Sequence, residues 1–143
     1  MPLPQELYEA FKQTIYLVNT EEQIAIHIDH SSQQLQQLLV RHHAKSAAII
    51  TADNPRSQLL PDADNLRAKE RLRNRLRTEG LTFLETIHRD PNSKWPDEYG
   101  FLVFDLPQQT IEPLLVEYGQ LAAVTINSAG SASLLLSQVD SDR

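Results

Sequence analysis

Six of the thirteen basic residues of this chain, Arg67, Lys69, Arg71, Arg73, Arg75 and Arg77, fall between Leu66 and Arg77. The chain as a whole carries a formal net charge of -6, so its positive charge is concentrated on one segment that calls for an anionic partner or an acidic cover. At about 100° per residue, Ala68, Leu72 and Leu76 form a narrow apolar stripe. Arg67, Arg71 and Arg75 flank it on one side, and Lys69, Arg73 and Arg77 on the other. Arg67 lies nearest the start of this helix, where free backbone N–H groups and the positive dipole end suit a phosphate or carboxylate. Apart from Arg67 and Arg71, most of these basic side chains read as a solvated helix face, since arginine and lysine are good helix formers with long apolar stems.

A second chemical cluster lies in the polar segment Arg89 to Glu98, where Asp90, Asp97 and Glu98 accompany the only tryptophan, Trp95. A carboxylate beside an aromatic platform could act as an acid or base, which makes Glu98 and Asp90 the candidate catalytic residues. The bland alternative is that Asp90-Pro91 and Pro96-Asp97 form turns while Trp95 anchors the loop. Glu98 could equally pair with an arginine of the basic helix. The five histidines, His27, His30, His42, His43 and His88, match no metal-ligand spacing. His27 and Asp29 share one face of a strand that His30 leaves, and His42 and His43 diverge on a helix, so surface or half-buried histidines and no metal site are expected. There is no cysteine, no G-x-S-x-G elbow, and only four unclustered glycines. Thiol chemistry and glycine-rich phosphate or dinucleotide loops are thereby excluded, and no motif implies a cofactor.

The elements that must position these groups follow from periodicity. A short helix over Leu7 to Phe11 precedes strands at Thr14–Val18 and Ile24–Ile28, joined as a hairpin. Ser31 or Ser32 caps a helix carrying Leu35, Leu38 and Leu39 and ending near His43. Ala47 to Ile50 is continuously apolar, a strand covered on both faces, and Asn54-Pro55 ends it. The basic helix runs from a cap at Asp62 or Asp64 to Thr78 or Glu79, closed by a left-handed Gly80. Strands follow at Leu81–His88 and Phe101–Phe104. Pro107 opens a helix that Gly119 closes, and because Pro113 would break its interior this helix is expected to begin near Glu112. Strands at Leu121–Ile126 and Ser133–Gln138 flank a turn at Asn127–Ser131. The order is ββαβαββαββ, an α+β domain with a mixed sheet and helices packed on it.

The 143 residues, 41% hydrophobic and 22% charged, bound one folded domain. Its core is expected over about 11–136, with a polar tail at 139–143. Met1-Pro2-Leu3-Pro4 lacks the basic and apolar regions of a signal peptide, and no apolar run approaches the ~18 residues of a membrane span, so the expected location is the cytoplasm. An acidic chain is not built throughout for nucleic acid, which leaves only a local basic face for that partner.

Four segments become informative together: Ile49-Ile50-Thr51-Ala52-Asp53-Asn54-Pro55, Asn65-Leu66-Arg67, the loop from Asp90-Pro91 to Trp95-Pro96-Asp97-Glu98, and Tyr118-Gly119-Gln120. Their order and spacing resemble an uncharacterised bacterial family, domain of unknown function three-two-nine-three, over about Phe11 to Leu136. The resemblance marks Thr51, Asn54, Pro55, Asn65, Arg71, Asp90, Trp95, Glu98, Gly119 and Gln120, with Arg67 as the alternative arginine. Tyr118 stands where phenylalanine is usual, and Tyr99-Gly100 where a small polar residue is expected. The family brings no activity with it. It implies that the polar motifs belong to one domain and converge.

Open sheets place ligands beyond strand ends beside helix N-termini, where Asn54, Asn65 and Arg67 would lie. Three functions follow. The leading one is a pocket of Asn54, Asn65, Arg67, Arg71, Trp95, Glu98 and Gln120 that holds an anionic or nucleotide-like small molecule, with arginine as the bidentate grip. The others are an enzyme using Glu98 or Asp90, and an RNA- or protein-docking module on the basic helix 66–77.

Overall fold

Apolar alternation and helix punctuation place every expected element in the computed structural model, which describes residues 4–137. The elements are α1 (Gln5–Gln13), β1 (Ile15–Val18), β2 (Ile24–Ile26), α2 (Gln33–Arg41), β3 (Ala47–Thr51), a 3-10 turn (Pro55–Ser57), α3 (Asp62–Thr78), β4 (Phe83–Arg89), β5 (Glu98–Phe104), α4 (Gln108–Glu117), β6 (Ala122–Ile126) and β7 (Ala132–Leu136). After α1 the order is the expected ββαβαββαββ. The polar tail expected at 139–143, like Gln138 of the last expected strand, lies outside the described residues.

One seven-stranded sheet has the order β2-β1-β4-β5-β3-β6-β7. The fold is α+β, but the sheet is antiparallel at every pairing and not mixed. Topology supplies the reason. The helix-connected strands β3 and β4 do run parallel, as do β5 and β6. The hairpin strand β5 inserts between β3 and β4, and β3 inserts between β5 and β6, so parallel strands never become neighbours.

Strand alternation divides the core into two layers. On one face Val18, Ile26, Ile49, Leu102 and Val124 pack against Leu35, Leu38 and Leu39 of α2. On the other, Ile50, Phe101 and Val103 pack against Ala68, Leu72 and Leu76 of α3 and Ile111, Leu114 and Leu115 of α4. β3 is buried at every position, which is what its unbroken apolar run requires of a central strand covered on both sides. α1 lies over the first face beyond α2, has no fully buried residue, and is tied down by an ion pair from Lys12 to Asp29.

Two local expectations are corrected. Neither Asp62 nor Asp64 caps α3: Pro61 occupies the cap position and both aspartates sit in the first turn, where they complement the helix dipole. α4 begins at Gln108 and not at Glu112, with Pro113 inside it. Pro113 and Gln109 both face solvent, so water can satisfy the Gln109 carbonyl that the proline leaves without a donor, and burial of Ile111, Leu114 and Leu115 offsets a cost of about 3 kcal/mol. Gly80 and Gly119 take the expected left-handed conformation, with φ of 71° and 64°. Among the described residues no helix is long and apolar enough to cross a membrane.

Candidate functional site

Where β3 ends, Asn54 adopts a left-handed conformation (φ 46°, ψ 62°) that asparagine tolerates better than most side chains. This turns its amide toward three other segments. Its Nδ2 donates to Glu98 Oε2 at the start of β5 (2.8 Å), and its Oδ1 accepts from Asn65 Nδ2 in the first turn of α3 (2.8 Å) and from the Leu60 backbone (3.0 Å). The Asn54 N–H in turn donates to Asn65 Oδ1 at 2.9 Å. Trp95 Nε1 donates to the same Glu98 oxygen from the 90–97 loop (3.0 Å). Next to this clamp, Asp53 Oδ2 accepts the Tyr99 N–H (2.9 Å), Thr51 Oγ1 donates to the Tyr99 carbonyl (2.8 Å), and Gln120 Nε2 donates to the Asp53 carbonyl (2.9 Å).

The clamp borders a cavity of about 660 Å³ between α1 and the sheet. Asn54, Trp95, Glu98 and Gln120 line its polar end, Ile49, Val124 and Leu134 its sheet floor, and Ala10 and Phe11 its helical roof. Among the expected pocket residues, Asn65 touches the clamp without lining the cavity. Arg67 and Arg71 do neither. They ride on α3, whose apolar stripe packs on the opposite face of the sheet, and the sheet therefore separates them from the cavity. Arg67 pairs with Asp64, and both arginines are exposed.

Part of each basic row departs from expectation, although Arg77 is exposed as expected and Arg75 pairs with Glu117 and Glu79. Lys69 and Arg73, expected to be solvated, are each only 16% exposed and share Glu85, at 2.9 and 3.0 Å. They lie over the Phe101 ring, Lys69 also over Tyr99, so acidic cover and aromatic faces take up this row. The Lys69 ammonium holds the Glu85 carboxyl below its usual range. No arginine of this helix pairs with Glu98, whose side-chain partners among the described residues are neutral donors.

Asp90 is a loop organiser. Its carboxylate accepts the backbone N–H groups of Asn92 (2.9 Å), Lys94 (2.9 Å) and Trp95 (3.1 Å), and these, Asn92 foremost, hold it below its usual range. Arg89 and Asp97 close the same loop with an ion pair. The tryptophan platform is thus fixed by local turn chemistry.

Glu98 and Asp53 behave in the opposite way. Burial raises both carboxyls above their ordinary values of 4.5 and 3.8, and the neighbouring Asp53 charge raises Glu98 further. A carboxyl whose folded-state value is raised contributes stability that is complete below its ordinary range and is lost as pH rises through the raised value. Glu98→Gln keeps an acceptor for Asn54 and Trp95 but removes that charge. The variant is therefore expected to melt higher than the parent at pH 7, with the difference vanishing below about pH 4, where the parent carboxyl is also neutral. Thermal melts from pH 3.5 to 8 check this; an advantage that persisted at low pH would rule out charge as its origin.

Several residues of the site had no local signal in the sequence. His88, expected at or near the surface, is buried with 7% exposure, and burial pushes its value down to about 3. The neutral ring bonds Thr86 Oγ1 (2.7 Å) and meets Tyr16 edge-on at 4.8 Å. Its period-two spacing from Thr86 and Leu84 was the available clue. Asp53 carries no local mark beyond standing at the end of the β3 run, and nothing in the α1 sequence beyond its helical pattern marks it as a cavity roof.

A family model described as "Protein of unknown function (DUF3293)" matches residues 50–123, more than half of the chain. The matched segment contains the whole Asp53–Asn54–Asn65–Trp95–Glu98–Gln120 cluster but neither α1 nor Tyr16. No curated protein and no solved structure matches the chain.

Proposed function

We propose, for a chain that belongs to the DUF3293 family of proteins of unknown function, that it binds a small organic molecule in the cavity between α1 and the sheet, with Glu98 and Trp95 at the polar end. One observation carries this reading. Glu98 Oε2 is saturated by Asn54 and Trp95, whereas no described group donates to Oε1 of the same carboxylate, which borders a cavity of the size that small ligands occupy. A desolvated carboxylate with an open acceptor weakens the fold, and such features persist where a ligand completes them. The apolar floor and the tryptophan supply contact area.

The arginine grip drops out of this reading, and with it the anionic character of the ligand. Arg67→Ala and Arg71→Ala are expected to leave ligand affinity within about twofold of the parent, because exposed side chains across the sheet are screened from the cavity. Ala122→Phe, which fills the floor from β6, is expected to abolish binding. A thermal-shift panel of amines, nucleosides, amino acids and phosphorylated metabolites, followed by titration calorimetry on these variants, tests the reading. If no compound raises the melting temperature of the parent, it fails.

Acid–base chemistry by Glu98 is a second reading, favoured by the same raised proton affinity. Asp90 has no part in it, since three backbone donors occupy its oxygens. Docking of RNA or protein on helix 66–77 has less support, because Lys69 and Arg73 already pair with Glu85, and Arg73 also with Glu70.

A further inference from the structure

We infer that the cavity takes an organic amine in its protonated form, held by Glu98 at the ammonium and by the aromatic walls along its body; this rests on the binding reading above. The charges around the cavity are unequal. Glu6 and Glu9 on the α1 roof, Asp90 on the loop and Glu98 at the polar end all line it, against one cationic side chain among the described residues, Lys94. His88 adds no charge, being buried and neutral. A cleft of one sign between low-dielectric walls concentrates ions of the other sign, so an anion is disfavoured here and a cation is drawn in.

Hydrogen bonding points the same way. The open atom, Glu98 Oε1, is an acceptor, as is any carboxylate oxygen, and what it lacks is a donor. An ammonium supplies up to three, and a charge-assisted bond to carboxylate is stronger than a neutral one. Phe11, Tyr16 and Trp95 also border the space, and aromatic rings attract cations as well as apolar carbon. An amine on an apolar or aromatic body therefore satisfies both ends of the cavity, whereas a phosphate or carboxylate would face Glu98 with Lys94 as its one cationic partner among the described residues.

Three molecules of one skeleton test the sign of the charge: 2-phenylethylamine, 2-phenylethanol and phenylacetate, titrated into the full chain at pH 7 by calorimetry or ligand-observed NMR. The amine is expected to bind about tenfold or more tighter than the alcohol, the equivalent of about 1.4 kcal/mol, and phenylacetate more weakly than either. Glu98→Gln should erase the preference for amine over alcohol. Glu6→Gln with Glu9→Gln, on an exposed helix where folding is not at risk, should weaken the amine about threefold and leave the alcohol unchanged. Alcohol or phenylacetate binding as tightly as the amine, or a preference that survives all these variants, overturns the inference while leaving the cavity a ligand site. If none of the three binds, the inference is overturned, and the broader panel decides separately whether the binding reading goes with it.

Discussion

Asn54→Ala is expected to lower stability by about 4 kcal/mol, because it strips three bonds from a buried hub and adds the strain of a left-handed alanine. The amide joins four segments. Removing it orphans the Leu60 N–H and the Asn65 Nδ2, withdraws one of the two donors on Glu98, and places alanine in a left-handed conformation that it adopts less readily than asparagine. Asn54 is only 5% exposed, so its own bonds are made away from bulk water. In melting temperature the loss is roughly 10–15 °C for a chain of this size. Asn54→Asp separates the bonds from the charge. It keeps the acceptor to Asn65 and Leu60 but sets a carboxylate beside Glu98 Oε2, so it should be as damaging as alanine at pH 7 and partly rescued in acid, where one of the two carboxyls takes up a proton. Chemical denaturation at pH 7 and pH 4.5 measures both. A loss below about 1 kcal/mol for Asn54→Ala would mean that the hub is solvated in solution, against the burial described here.

Gly100→Ala is the second severe change, and its cause is steric. A Cβ at this position of β5 would overlap the backbone carbonyl oxygen of Ile50 on β3 and come within 2.9 Å of His88 Cε1 on β4. The Ile50 oxygen belongs to the central pair of the sheet and has no rotamer to change, so the strands would have to separate. A loss of about 3 kcal/mol or more is expected, with much of the protein failing to fold. Combining it with His88→Ala should not restore stability, since the ring is the flexible neighbour and the carbonyl is not. Rescue by His88→Ala would show that the ring sets the limit. The glycine matters to function through its place in the chain, because it lets β5 lie flat against β3 two residues after Glu98 and so fixes where that carboxylate emerges.

Both changes act on the scaffold of the clamp, whereas Glu98→Gln acts on its chemistry. The first two should lower stability and binding together. The third should raise stability at neutral pH while removing the amine preference, and that opposition separates a functional carboxylate from a structural one.

Much of this molecule was written locally. Period-two runs such as Ile24, Ile26 and Ile28 and the unbroken Ala47–Ile50 marked strands, the stripe of Leu35, Leu38 and Leu39 marked a helix, and Gly80 and Gly119 marked helix ends, because each depends on neighbours within a few residues. The order of elements and the α+β class followed from the same signals. The grouping of Asn54, Asn65, Trp95, Glu98 and Gln120 came instead from the resemblance to a family pattern. Strand order was not local. The insertion of β5 between β3 and β4 made the sheet antiparallel, and no run of residues encodes which strand lies beside which. The same topology settled the arginines. Helical periodicity put Arg67 and Arg71 on one flank and Lys69 and Arg73 on the other, but only the packing of α3 revealed that Glu85 and Phe101 lie under the second row and that the first row faces solvent across the sheet from the cavity. Charge on a helix is read from sequence. What meets that charge is decided by burial and long-range pairing, which is why the helix arginines that suggested an anionic ligand lie away from the cavity while carboxylates line it.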